Sequence, residues 1–155
     1  MLILGIDPGA TTGWCLYHGG KQQVLGAGTF NRHHWSDEAS EAMAVADAVA
    51  IESFFEPHGG IYPDTVLAAM TEGRLQEAVA ATRGVEPVLY TRLSIKQALT
   101  EATLREVVVQ DDRTCKAALV LLHGDGSDKK GGAIWPATND HRRAALAVAW
   151  MHATR

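Results

Sequence analysis

The side chains best placed to do chemistry in this chain are acids that close short apolar runs. Leu2-Ile3-Leu4-Gly5-Ile6 carries no charge and ends on Asp7, which Pro8-Gly9 follows at once. A carboxylate at the end of a buried strand is costly unless a cation or hydrogen-bond donors meet it. Asp before Pro-Gly is also ordinary turn chemistry. The stretch alone therefore allows two readings of Asp7, a turn former or a ligand for a metal ion or phosphate. Thr65-Val66-Leu67-Ala68-Ala69-Met70 repeats the pattern and is followed by Thr71-Glu72-Gly73. Read as a buried strand, it delivers Glu72 at its end. If the two strands are neighbours, Asp7 and Glu72 can share a cation. Asp140-His141, at the start of a final helix, adds an acid and an imidazole. Alone, such a pair is a routine cap beside an exposed histidine; next to two strand-end acids it gains a ligand reading. An oxygen-rich set with one nitrogen suits Mg²⁺ or Mn²⁺. Two such ions about 4 Å apart activate water and stabilise the leaving oxygen of a phosphodiester.

The elements that must hold these groups follow from pattern. Leu2–Ile6, Gly13–Tyr17 and Gln22–Phe30 read as three strands joined by tight turns, an antiparallel meander. Ser36 caps a helix with Asp37 and Glu38 in its first turn. Its apolar stripe, Met43, Ala46, Ala50 and Phe54, predicts a helix that continues to the residue before Pro57. On that helix Glu52 is a flanking, solvated carboxylate. After the strand at 65–70, Leu75–Arg83 reads as a helix closed by Gly84. Val85–Tyr90 reads as an edge strand because of Pro87, and residues 94–109 as a connecting segment of mixed pattern. A helix from Arg113 to about Leu122 is capped by Asp111 or Asp112, residues 125–132 form a loop, and the last helix runs from about Asp140 to Thr154. Asn31-Arg32-His33-His34-Trp35 reads as a loop, and its adjacent histidines do not point to one ligand. The order predicts an α/β fold, a mixed sheet with helices on its faces.

Composition narrows the class. The chain has 155 residues, 46% hydrophobic and 21% charged, as expected of one soluble globular domain over 1–155. It shows neither a membrane-spanning run nor a signal peptide. Cys15 and Cys115 lack metal spacing and read as reduced core thiols of a cytoplasmic protein. The net charge of −4 argues mildly against a strong nucleic-acid binder. It is unevenly spread, since residues 1–73 hold 2 basic and 9 acidic side chains and residues 74–155 hold 12 and 9. Carboxylates gathered around a cation give such a distribution, and so does an ordinary acidic domain.

Leu4-Gly5-Ile6-Asp7-Pro8-Gly9 resembles the opening motif of the RuvC-like Holliday junction resolvases of the ribonuclease H-like superfamily. Ala145-Leu146-Ala147-Val148-Ala149 is similar to the small-residue helix near that family's last acidic pair. The resemblance implies a five-stranded mixed sheet, a meander plus parallel strands, with helices on both faces. It implies a metal-dependent endonuclease cutting four-way or otherwise branched DNA in recombination or repair, as a homodimer using two Mg²⁺ or Mn²⁺ ions, from a bacterium or a phage. Asp7 and Glu72 fall on the first two metal-binding carboxylates, and His141, with Asp140, on the last ligand position. Lys96 and Lys116 resemble two basic positions near the scissile phosphate. Lys129, Lys130, Arg142 and Arg143 are candidates to hold further phosphates. One departure stands out. The family's further carboxylate three or four residues after the His or Asp is here Ala144 or Ala145.

Two other classes compete. A module of the same fold that binds nucleic acid and has lost the chemistry would account for the missing carboxylate. Sugar kinases and actin-like ATPases open similarly, and Ala10-Thr11-Thr12-Gly13 echoes their phosphate loop, but their nucleotide site needs two lobes and about twice this length.

Overall fold

The computed structural model describes residues 1–53, 63–123 and 140–155. Five strands form one mixed sheet: β1 (Leu2–Asp7), β2 (Thr11–His18), β3 (Gln23–Asn31), β4 (Ala48–Ser53) and β5 (Val88–Thr91), in the order β3-β2-β1-β4-β5. The meander β1-β2-β3 is antiparallel, while β4 lies parallel to β1 and β5 parallel to β4. This is the mixed sheet read from the sequence. β1, central and buried on both faces, is a near-continuous apolar run for that reason.

Among the described residues five α-helices cover the sheet: α1 (Asp37–Val45), α2 (Pro63–Arg83), α3 (Arg92–Ala102), α4 (Asp112–His123) and α5 (Asp140–Ala153). Leu4 and Ile6 of β1, with Val49 and Ile51 of β4, pack against Ala39 and Met43 of α1 and Leu75 and Val79 of α2. On the other face Ile3 and Ala50 meet Leu99 of α3, Leu119 of α4 and Leu146 of α5. Among the described residues no helix is long and apolar enough to cross a membrane.

Three elements differ from the sequence reading. The segment at 94–109, read as connecting, opens within helix α3, which Thr91 caps by accepting from Ser94 N. The helix expected to run to the residue before Pro57 stops at Val45, and its second half is β4. Ala48-Val49-Ala50-Ile51 is apolar at every position, so it satisfies a helical and an extended period equally. Pairing with β1 decides between them. Asp47 donates its N–H to Leu2 O at 2.8 Å and its carboxylate accepts from Leu2 N at 2.7 Å, which pins the start of β4 to the start of β1. Conversely, the strand expected at 65–70 lies inside α2. Ala68, Thr71, Leu75 and Val79 are buried at helical spacing and continue one stripe through the whole helix. Ser36 accepts from Ala39 N as the expected cap of α1, and Gly84, at φ +67°, follows the last residue of α2.

α5 lies unusually close to the sheet. A Cβ on Gly5 would come within 2.7 Å of Ala149 N, and one on Gly13 would strike the carbonyl of His141. The two glycines, facing the alanines of α5, let the first turn of that helix settle at the end of β1.

Candidate active site

Asp7 ends β1 and Glu52 is the last residue but one of β4. The strands are parallel with Ile6 opposite Ile51, so one further step sets Asp7 beside Glu52. Residues opposite one another in a sheet leave on the same face. Here it is the face of Gly5 and Ala50, toward α5. Both acids are 3% exposed. Each is met by a cationic or ionisable group from a different element. His141 Nδ1, in the first turn of α5, lies 2.9 Å from Asp7 Oδ2, and Arg92 Nε, at the start of α3, donates to Glu52 Oε1 at 2.6 Å.

The electrostatics follow from this packing. Burial raises the Asp7 carboxyl above its ordinary range, against the pull of the His141 hydrogen bond. Burial and the neighbouring Asp7 push Glu52 up to about 7, although Arg92 opposes the shift. His141 moves up, chiefly through its hydrogen bond to Asp7. The sheet thus holds two carboxylates whose negative charge the interior solvates poorly, an arrangement characteristic of functional sites.

Asp7, His141 and Arg92 open on a cavity of about 460 Å³ that Asp112, Asp140 and Ala144 also line; Glu52 reaches its wall only through its partner Arg92. Asp112 enters from the first turn of α4, where Asp111 takes the capping role by accepting from Thr114 N at 2.8 Å. Asp140 is paired with Arg143 one turn on. A hard divalent cation fits this donor set of carboxylate oxygens with one imidazole. Among the described residues no three ligating side chains stand converged for an ion. With Asp7 turned to His141 and Glu52 to Arg92, those pairings have to open for one to be held jointly.

The structure brings together Asp7, Asp140 and His141 as the sequence reading expects, and corrects the second strand-end acid. Glu72 is on α2, buried, and accepts from Gln76 Nε2 at 3.0 Å. α2 reaches the cavity one turn earlier, through Leu67 and Ala68. The carboxylate delivered beside Asp7 is Glu52, not Glu72, and Glu52 is a buried strand-end acid rather than a solvated flank. Lys96 points elsewhere: its Nζ donates to Gln110 O at 2.7 Å and it lines a separate cavity with Leu93 and Val108. Lys116 is exposed on α4. Arg142 borders a groove with Trp14, Gly28 and Glu38. Lys129 and Lys130 lie outside the described residues.

The sequence reading gives three residues of the site no functional role: Glu52 reads as a flanking carboxylate, Asp112 as a candidate helix cap, and Arg92 goes unassigned. Glu52 had a legible signal, an apolar run closed by an acid, but its spacing also fits the helix before it. Arg92 directly follows the last residue of β5, the same sheet end that carries Asp7 and Glu52.

Among solved structures, the chain aligns with that of T. thermophilus RuvC in complex with a Holliday junction substrate at TM-score 0.55 and 22% identity, over 99% of this chain and 92% of that one. It aligns with a second structure of Thermus thermophilus RuvC at TM-score 0.55 and 19% identity, over 99% and 93% of the two chains. The fold is that of RuvC. The resemblance carried by the opening motif is thus met at the level of the ribonuclease H-like fold. No family model matches the sequence, and neither does any curated protein.

Proposed function

We propose that this chain is a metal-dependent endonuclease acting on branched DNA, with four-way junctions as its substrate class and Mg²⁺ or Mn²⁺ as its cofactor. The observation that carries the reading is the pair Asp7 and Glu52, buried side by side at the ends of adjacent parallel strands on a RuvC fold. Asp7 and Glu52 would hold the ions, with His141 and Asp140 from α5 completing the donor set, once the Asp7–His141 and Glu52–Arg92 pairings open. A divalent cation bound there supplies Lewis-acid stabilisation of charge on the phosphate and an acidified water. Without a bound ion, Asp7 orients the His141 ring through Nδ1. Arg92, on the cavity wall, offers a guanidinium matched to phosphate oxygens, in the part first assigned to Lys96 and Lys116. Asp7 and Glu52 are buried, so their charges act in a medium less polarisable than water.

The test is nicking of a synthetic four-way junction with Mg²⁺ or Mn²⁺, comparing the wild type with Asp7→Asn, Glu52→Gln and Glu72→Gln. Removal of one preorganised charge-stabilising group costs on the order of 10²–10³ in rate, so the first two variants are expected to lose cleavage and the third to keep it. Loss in Glu72→Gln with retention in Glu52→Gln would overturn the site. A second reading, a binding module of weakened chemistry, is favoured by Ala144. It lines the cavity where the resemblance leads one to expect a further acid. Junction binding without cleavage at either metal would select that reading.

A further inference from the structure

Beyond the catalytic cavity, a second crevice of about 90 Å³ lies against the same wall. Arg32 and His33, in the turn after β3, face Met70, Thr71 and Arg74 of α2 across it. Leu67 lines this crevice and the catalytic cavity alike, so the two adjoin along α2. The turn is held in register with the site. Arg32 N donates to Ala10 O at 3.4 Å, and Ala10 is part of the loop that carries the chain out of Asp7. Its shape is set locally, by His33 N donating to the Asn31 side chain at 3.1 Å and His34 N to Asn31 O at 2.9 Å.

The charge of this crevice is unlike that of its surroundings. Arg32 is one of only two basic side chains in residues 1–73, against nine acids. Neither Arg32 nor Arg74 has an acidic partner within 4 Å among the described residues, whereas Arg92 and Arg143 are both paired with acids. Arg32 Nε donates to His33 Nε2 at 3.0 Å, which makes that ring nitrogen an acceptor and fixes the side chain across the loop. Thr71 donates its hydroxyl to Leu67 O at 2.8 Å, so it adds no negative group. Two guanidinium groups, from separate elements and with no acid among the described residues that line the crevice, form a site for an anion with several acceptor oxygens.

We infer that Arg32 and Arg74 form a phosphate subsite that holds the backbone of the DNA strand running out of the catalytic cavity across α2. This rests on the nuclease reading for the identity of the strand, but its chemistry is that of a nucleic-acid backbone in either case. It explains how an acidic chain binds a polyanion, through a local cationic track beside an acidic centre, where net charge is a poor guide. Such contacts fix register without reading sequence.

The experiment measures binding of a fluorescent four-way junction, and of a duplex of matched length, as a function of salt. It uses the full chain carrying Asp7→Asn, so that nothing is cut. Each phosphate that is no longer neutralised lowers the slope of log K against log salt by about 0.9 on B-form DNA. The further change Arg32→Ala/Arg74→Ala is therefore expected to lower it by about 2 and to weaken binding by about tenfold per arginine at low salt. Arg32→Lys/Arg74→Lys should restore most of the slope, and unchanged melting temperatures show that substitution at half-buried Arg32 and exposed Arg74 leaves the fold intact. Equal slopes and affinities with and without the arginines overturn the subsite, whatever the wild type cleaves. A parent that binds neither DNA overturns it also. If the wild type binds with the arginine-dependent slope but never cuts, the subsite stands and the nuclease reading falls.

Discussion

Glu52→Gln should make the protein more stable while removing its activity, and the gain should depend on pH. The carboxyl is held at about 7 in the folded chain against 4.5 as its ordinary value. A folded-state value above the unfolded one means that the native state keeps the proton longer. Stability is then highest below about pH 4.5, falls as pH rises through the window up to about 7, and stays at its reduced level above it. At about 1.4 kcal/mol per unit, that window corresponds to a destabilisation of about 3 kcal/mol once Glu52 is ionised. Glutamine keeps the shape and an oxygen for the Arg92 N–H but has no charge to bury. The attraction to Arg92 is already contained in that value, because Arg92 lowers it. The expected outcome is near equality of wild type and variant at about pH 4.5 and an advantage of about 3 kcal/mol for the variant at about pH 8. Urea unfolding at the two pH values, without metal, reads this directly. A variant less stable than wild type by the same amount at both pH values would refute the reasoning, because Glu52 would then be an ordinary satisfied ion-pair partner.

Gly13→Ala should cost about 1–3 kcal/mol, since its Cβ would strike the His141 carbonyl; melting temperature measures the cost, and cleavage should fall with it because the displaced first turn of α5 carries His141 away from Asp7. Gly73→Ala should do the reverse. It lies inside α2 with nothing within 4 Å of an added Cβ, so thermal unfolding should show a gain of up to about 1 kcal/mol from helix propensity alone, with cleavage unchanged.

Much of the fold was legible because it is written in local pattern. The meander, the cap at Ser36, the Gly84 stop and α5 are all short-range signals in the sequence, and the structure keeps them. Asp7 was legible for the same reason: an acid that abruptly ends an uncharged run has few structural explanations. Its partner was not, because the choice between Glu52 and Glu72 turns on which of two apolar stretches is extended. Thr65–Met70 and Ala48–Ile51 are both rich in alanine and branched residues, and local preference separates them poorly. Pairing with distant parts of the chain separates them completely. Residues 48–51 find an open edge of β1, with Asp47 tied to Leu2, while residues 65–70 continue a buried stripe that reaches Val79. Arg92 and Asp112 were hidden for a related reason, since each begins a helix and only the parallel order of β1, β4 and β5 turns those helix starts toward Asp7. The sequence by itself determined that a carboxylate ends a buried strand and that an acid and a histidine open the last helix. Only the tertiary structure decided which second acid stands beside it, because strand register is a property of two segments far apart in the chain, fixed by long-range pairing and burial that no local window contains.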